Sequence, residues 1–262
     1  MLESAHALNT KPISTSLDDE RPRPDSADQA NFHNHLARYQ FALRWIRPGT
    51  DVLETACGTG YGSQLIASVA KRVLATDYSP LAIDYARRHF ASPNLRFEVM
   101  DCNEWHVLPA SYDCIVSFEV LEHLPNQVEY LRNCASALRP GGILLISTPN
   151  RSTAQIHMRS IQQVNEFHIG ELNLTQFRSL LGQVFPRFTI YGQRRQGNAI
   201  YAALRALDVW NLRLRLIPSR KRDEMQRHFG VPTGHQAKAQ DWIFARSQLR
   251  QANSFLAVCH KS

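Results

Sequence analysis

Glu119, Glu122 and His123 fall within five residues, in the run Phe118-Glu-Val-Leu-Glu-His123. If that run is helical, positions i, i+3 and i+4 share one face, and two carboxylates and an imidazole converge. A second histidine, His168, lies in Glu166-Phe-His-Ile-Gly-Glu171. Glu119, Glu122, His123 and His168 are therefore a candidate divalent-cation site. Carboxylate-rich oxygen ligation favours Mg²⁺ or Mn²⁺. Two other readings of the same residues stay open. His123 or His168 could act as a catalytic general base, or the glutamates could cap a turn while His123 is structural.

The elements that would carry these side chains are legible from the apolar runs. Val52 to Glu54 reads as a strand that enters the glycine-rich turn Thr55-Ala-Cys-Gly-Thr-Gly-Tyr-Gly62. Glycine lets such a turn adopt φ > 0 and pass close to a nucleotide-like ligand. A helix is expected over 63–71, a second strand over 72–76 ending at Asp77, and a third over 95–100 ending at Asp101-Cys102. An acid at the end of a second strand is where a doubly wound fold holds ribose hydroxyls. The fourth strand, 112–117, leads into the Glu-x-x-Glu-His run. After a further helix and the bend Arg139-Pro-Gly-Gly142 comes a fifth strand, 143–147. Strands alternating with helices at this spacing give a parallel sheet covered on both faces. A nicotinamide-binding fold is the competing reading of the turn. It would want a third glycine three residues after the second, and position 63 is Ser.

Taken in order, these motifs resemble the class I S-adenosylmethionine-dependent methyltransferases, over roughly residues 31–192. The resemblance implies a Rossmann-like α/β fold of seven strands, mostly parallel with an antiparallel last strand. It implies S-adenosyl-L-methionine as cofactor. Glu54, Gly58 and Gly60 would lie against its methionine part, Asp77 on the ribose diol, and Asp101 with the Cys102 N–H on the adenine. Ser117, at the end of the fourth strand, joins this set. The chain departs from the family at Ala56, where glycine is usual. His35-Leu-Ala-Arg-Tyr39 is similar to the helix before the first strand in methyltransferases of polysaccharide-modifying gene clusters, where the arginine and tyrosine often close over the cofactor. Tyr39 is therefore a further cofactor candidate.

The Glu-x-x-Glu-His run resembles two metal-using groups, the small-RNA 2′-O-methyltransferases and the ubiquinone-pathway O-methyltransferases. Methyltransferases of glycan and antibiotic clusters share the run together with a Phe-His-x-x-Glu like that at 167–171. An alcohol is a poor nucleophile at neutral pH, and a metal on a vicinal diol would lower its pKa and fix its direction. The acceptor these resemblances imply is a sugar hydroxyl on a glycan, nucleotide-sugar or glycosylated small molecule. A quinone-type phenol and a non-catalytic cofactor-binding role are the alternatives.

The chain has 262 residues, of which 44% are hydrophobic and 20% charged, and it carries a net charge of +7. That suffices for one well-buried domain with an elaboration. The first thirty residues lack the apolar core of a signal peptide and read as a mobile arm, part of which could cover the cofactor. Five scattered cysteines without a Cys-x-x-Cys pair are expected to be free thiols in a reducing cytosol. The core is expected over 31–193, with a helix at 31–46, another at 174–184 and a sixth strand at 187–191. A basic helical cap is expected over 194–252 and the final strand over 253–262. Residues 194–262 contain 13 Lys and Arg against 4 Asp and Glu. Apolar positions Ile200, Leu204, Leu207, Trp210, Leu214 and Ile217 recur there at helical spacing among the arginines. This stretch reads as a solvated cap, as a surface for anionic lipid at the inner face of the membrane, or as a phosphate site. No aromatic-plus-basic recognition module supports nucleic acid.

Overall fold

The computed structural model describes residues 21–25, 28–154, 168–208, 212–232 and 236–262. Among the described residues the first helix is α1 (Gln29–Ala42), whose N-cap Asp28 accepts from the Asn31 N–H at 3.0 Å. The chain continues through β1 (Asp51–Thr55), α2 (Tyr61–Ala67), β2 (Arg72–Asp77), α3 (Pro80–His89), β3 (Leu95–Val99) and β4 (Tyr112–Phe118). After these come α4 (Gln127–Ala137), β5 (Leu138–Pro149), α5 (Leu174–Gly182) and β6 (Arg187–Arg195). Three helices come next: α6 (Ala199–Leu207), α7 (Leu212–Leu216) and α8 (Ser219–His228). Two strands, β7 (Trp242–Ala245) and β8 (Ser254–His260), complete the sheet.

The strands form one sheet in the order β3-β2-β1-β4-β5-β8-β6-β7. Pairs from β3 across to β5 are parallel, and β8 runs antiparallel between β5 and β6. Side chains alternate across β1. Val52 joins Tyr39, Ile66 and Ile83 in the core under α1–α3, while Leu53 joins Leu131, Phe177 and Leu181 under α4 and α5. The strand order reverses between β1 and β4. At such a switch point, in the crevice outside the carboxyl ends of the strands, open α/β sheets bind ligands.

Two expectations need correction. The sheet has eight strands rather than seven, because part of the expected helical cap is β7, which pairs antiparallel with the extension of β6 at 192–195. Trp242 packs with Ala37, and Phe244 stacks on Phe41 with ring centroids 4.5 Å apart, so two aromatic contacts with α1 hold this four-residue edge strand. The Arg-Pro-Gly-Gly bend lies inside β5, entered through a register shift opposite Tyr112 and Cys114. Of the expected N-terminal arm, residues 21–25 are described, and they sit on the glycine turn. Residues 1–20, Glu166, Phe167 and Trp210 lie outside the described residues. All five cysteines are free, as expected.

The turn between β1 and α2 is held tightly. Gly60 has φ +87°, and a Cβ there would lie 2.7 Å from the Ala86 Cβ and 2.9 Å from the Phe97 ring. Left-handed backbone costs about 1–2 kcal/mol for a residue with a side chain, and overpacking adds about 1–3 kcal/mol. Gly60→Ala should therefore destabilise the fold by about 2–5 kcal/mol in urea unfolding. A loss under about 1 kcal/mol would mean that the turn can relax around a methyl group.

Candidate functional site

Apart from Tyr39 on α1 and His168 in the segment before α5, the predicted side chains sit at or just beyond a strand end. Glu54, fully buried on β1, accepts from the Tyr39 hydroxyl at 2.7 Å. Tyr39 lies beneath the turn, and a Cβ on Gly62 would be 2.0 Å from its ring, so only glycine lets α2 sit there. The second carboxylate oxygen, Glu54 Oε2, is buried without a hydrogen-bond partner. Burial pushes the Glu54 carboxyl up to about 7, while the Ser63 and Tyr39 hydroxyls pull it down and Asp77 adds to the rise. Ser63 Oγ is also buried without a partner, so it acts on the carboxylate as a nearby dipole rather than through a formed bond.

Asp77, at the end of β2, ties the turn down. Its Oδ2 accepts from the Gly58 N–H at 3.0 Å and its Oδ1 from the Ser79 N–H at 2.9 Å. Ala56 has φ +53°, which accounts for the family's preference for glycine at that position. Asp101, beyond β3, is exposed and holds the backbone N–H and side-chain amide of Asn103, with half-buried Cys102 beside it. The Ser117 side chain is turned away from the crevice. Its hydroxyl is fully buried in a chain with Tyr130 (2.8 Å) and Thr55 (2.7 Å from Tyr130).

The Glu-x-x-Glu-His run does not form one helical face. Leu121–His123 is a 3₁₀ turn, and Glu119 precedes it with φ +55°. Glu119 is thereby aimed at Ser147 Oγ, which donates to it at 2.8 Å, and at the Arg38 guanidinium, 3.4 Å away. Arg38 is itself buried and donates to Gln193 at 2.6 Å and Ser254 at 3.1 Å. Of the four candidate metal ligands, Glu122, His123 and His168 converge, with one ligand atom from each within 4.8 Å of the others. The imidazoles meet edge to face with centroids 5.0 Å apart. Glu122 accepts from Thr148 at 3.0 Å through Oε2, while its Oε1 is buried without a partner. Burial, then the charge of Glu119, raises the Glu122 carboxyl well above the usual range.

Residues that sequence reasoning missed hold the triad together. Gln127 Nε2 donates both to the Leu121 carbonyl (2.7 Å) and to the Gly170 carbonyl (2.8 Å), and the Gly170 N–H donates to the Glu122 carbonyl. A Cβ on Gly170 would fall 2.6 Å from Gln127 Nε2. This staple joins the β4 turn to a segment some forty residues later. No local pattern in the sequence announces it. His168 Nδ1 lies 2.8 Å from the Glu171 carboxylate, a pure acceptor, so Nδ1 carries a proton, and in the neutral ring Nε2 is the acceptor. The i, i+3 spacing of His168 and Glu171 is the sequence signal for that pairing.

A glycine turn, a β2 acid and a carboxylate–imidazole cluster across a switch point are now in place, and a methyltransferase domain model matches residues 29–190. The chain belongs to the methyltransferase domain family. A relative from Mycobacterium tuberculosis described as a probable S-adenosylmethionine-dependent methyltransferase is 39% identical over 67% of this chain and 62% of its own length. A ubiquinone biosynthesis O-methyltransferase of Xanthomonas campestris is 36% identical over 43% of this chain and 48% of its own length. These matches thus span less than two thirds of either relative. A SAM-dependent methyltransferase of Thermotoga maritima shares the fold, with a TM-score of 0.59 at 12% identity over 89% of this chain and 92% of that one.

Glu54 gives a pH test of the ligand-free site. Its folded pKa is about 7 against 4.5 for the ordinary carboxyl, so the folded state binds this proton more tightly than the unfolded chain. The favourable contribution of the proton is full below pH 4.5 and is lost as pH rises through 7. Ligand-free Glu54→Gln should therefore gain on wild type as pH rises from 5 to 8, by up to about 3 kcal/mol. Urea unfolding at the two pH values measures this. A difference that does not change with pH would show that Glu54 is ionised throughout.

Proposed function

We propose that the chain transfers the methyl group of S-adenosylmethionine to a hydroxyl of a vicinal diol on a sugar-bearing small molecule or glycan. The observation that carries this reading is the Glu122–His123–His168 cluster beside the glycine turn. Bound S-adenosylmethionine supplies a sulfonium-activated methyl group. Glu54 Oε2, a buried acceptor without a partner, suits its ammonium. Gly58 and Gly60 allow close approach, Asp77 takes the ribose diol, and Asp101 with the Cys102 N–H takes the adenine. Tyr39 orients Glu54, and Ser117 contributes through its main chain.

On the acceptor side, Glu122 Oε1, His123 and His168 Nε2 would hold a divalent cation, whose chemistry is to acidify and orient adjacent hydroxyls. With Glu119 turned to Arg38, the donor set is one carboxylate and two imidazoles, which suits Mn²⁺ better than Mg²⁺. The likeness to a ubiquinone O-methyltransferase favours a catechol-type phenol as the second reading, and that acceptor presents the same adjacent oxygens. Without a cation, His168 Nε2 is the acceptor for the hydroxyl proton, with Glu171 stabilising the charge.

Titrating Mn²⁺ into protein saturated with S-adenosylhomocysteine tests this. One site is expected, weakened at least about tenfold in His168→Ala, and methyl transfer should favour vicinal diols over single hydroxyls. Transfer that survives chelation with no preference for diols would leave the histidine as base and reject the cation.

We further propose that the insert rests on an anionic membrane at its inner face. On α6 the inward positions are Tyr201 and Arg205, while Ile200, Leu204 and Leu207 are exposed on the outer side, as are Leu212 and Leu216 on α7. The surplus of Lys and Arg in residues 194–262 gives this apolar face its electrostatic complement. No helix among the described residues is long and apolar enough to cross a bilayer, so contact would be interfacial. Cosedimentation with phosphatidylserine vesicles should fall about tenfold in Leu204→Ser, and neutral vesicles should bind little. Equal retention of the variant would reject the surface.

A further inference from the structure

Resting on the cofactor reading above, we infer that residues 21–24 form a strap that competes with the cofactor for Asp77, and that Arg21 sets cofactor affinity. The Arg21 guanidinium lies 3.1 Å from Asp77 Oδ1, the carboxylate placed for the ribose hydroxyls. Its aliphatic stem crosses the glycine turn, 3.7 Å from where a Cβ on Gly58 would be. Thr59 Oγ1 donates to the Pro22 carbonyl at 3.1 Å, so turn and strap are hydrogen-bonded as well as ion-paired. Arg21 also stands over the Tyr78 ring at 5.2 Å and Arg23 over Tyr85 at 5.9 Å, on the side of the crevice just past β2. At the far end, Gln29 Nε2 donates to the Pro24 carbonyl at 2.9 Å and anchors the strap to α1.

The competition is steric and electrostatic. Asp77 is 3% exposed with the strap in place, and its oxygens already accept from Gly58, Ser79 and Arg21. The Gly58 and Ser79 bonds shape the turn and can persist with ligand. Arg21 alone stands where a ribose diol must donate. Alternating prolines suit the segment to this use. Pro22 and Pro24 fix φ and hold their neighbours extended, so the strap swings as a stiff unit and ordering it costs little entropy. Displacing it exposes an arginine to water and gives the carboxylate two hydroxyl donors in exchange.

Isothermal titration of the full chain with S-adenosylhomocysteine, comparing wild type with Arg21→Ala and Arg21→Gln, tests the inference. A strap closed for most of the time lowers apparent affinity by the open fraction. Both variants should therefore bind at least about fivefold more tightly than wild type in low salt. The gap should narrow at high salt, where the wild-type ion pair is screened. Adenosine, which keeps the ribose diol but lacks the methionine part, should gain by the same factor. Unchanged or weaker binding in both variants overturns the strap and makes Arg21 structural or a direct cofactor contact. If wild type and variants alike bind no S-adenosylhomocysteine, the cofactor reading itself fails and the strap falls with it.

Discussion

Burying carboxylates at the ends of β1, β2 and β4 is the constraint around which the rest of the structure is arranged. An unpaired buried charge is too costly to keep, and each acid meets that cost by a different device. Glu54 has its carboxyl raised to about 7 and a tyrosine hydroxyl on one oxygen. Asp77 is neutralised by two backbone N–H groups and Arg21. Glu119 faces Arg38, and Glu122 has Thr148 on one oxygen and nothing on the other. Both unpartnered oxygens, Glu54 Oε2 and Glu122 Oε1, therefore lie in the switch-point half of the molecule. Native proteins satisfy nearly all buried polar atoms, and these two open carboxylate oxygens are the ones that the proposed cofactor and cation would complete.

Parallel register brings these acids together. Thr55, Thr76 and Ser117 are paired neighbours on β1, β2 and β4, so the three strands end level, and the residues just beyond them face the same crevice. Past the strand ends, backbone strain does the aiming. Left-handed residues recur at Ala56, Gly58, Gly60 and Glu119. Gly58 and Gly60 adopt this backbone freely, whereas at Ala56 and Glu119 such strain costs about 1–3 kcal/mol per residue and persists only where surrounding structure fixes it. At Glu119 the fixing is visible in the bonds of its N–H and carboxylate to Ser147. The result separates the two glutamates of the run, one serving Arg38 and the other the histidines.

The parallel half of the sheet was legible in the sequence because its strands are continuous apolar runs punctuated by glycine or an acid. What escaped was non-local. β7 is four residues long, and its strand character comes from Trp242 and Phe244 packing on α1, a contact with no trace near 242. The bend at 139–142 reads as a loop from its composition, yet β5 runs through it, and β4 pairs with Leu138 and Ile143 on either side across a register shift. At the site, residue types were readable and orientations were not. Glu119 and Glu122 look equivalent at i and i+3, but the left-handed residue and the 3₁₀ turn rotate one of them away. The Gln127–Gly170 staple could not be read because it joins segments 43 residues apart.

Consecutive residues of α1 hold the two halves of the crevice. Tyr39 reaches down to Glu54, on the side of the glycine turn, and Arg38 reaches across to Glu119, on the side of the histidines. Neither interaction is made from the core sheet itself. A shift of α1 along its axis would therefore disturb both carboxylates together, one losing a hydroxyl and the other a guanidinium. The same helix receives the strap through Gln29 and packs against the edge strand of the insert through Phe41. Gln193 closes the circuit, accepting from Arg38 while its amide donates to Asn34 of α1. Segments that differ most from a minimal core, the N-terminal strap and the insert, thus meet the site through one helix. That placement gives contacts on the insert a physical route to Glu54 and Glu119 through α1.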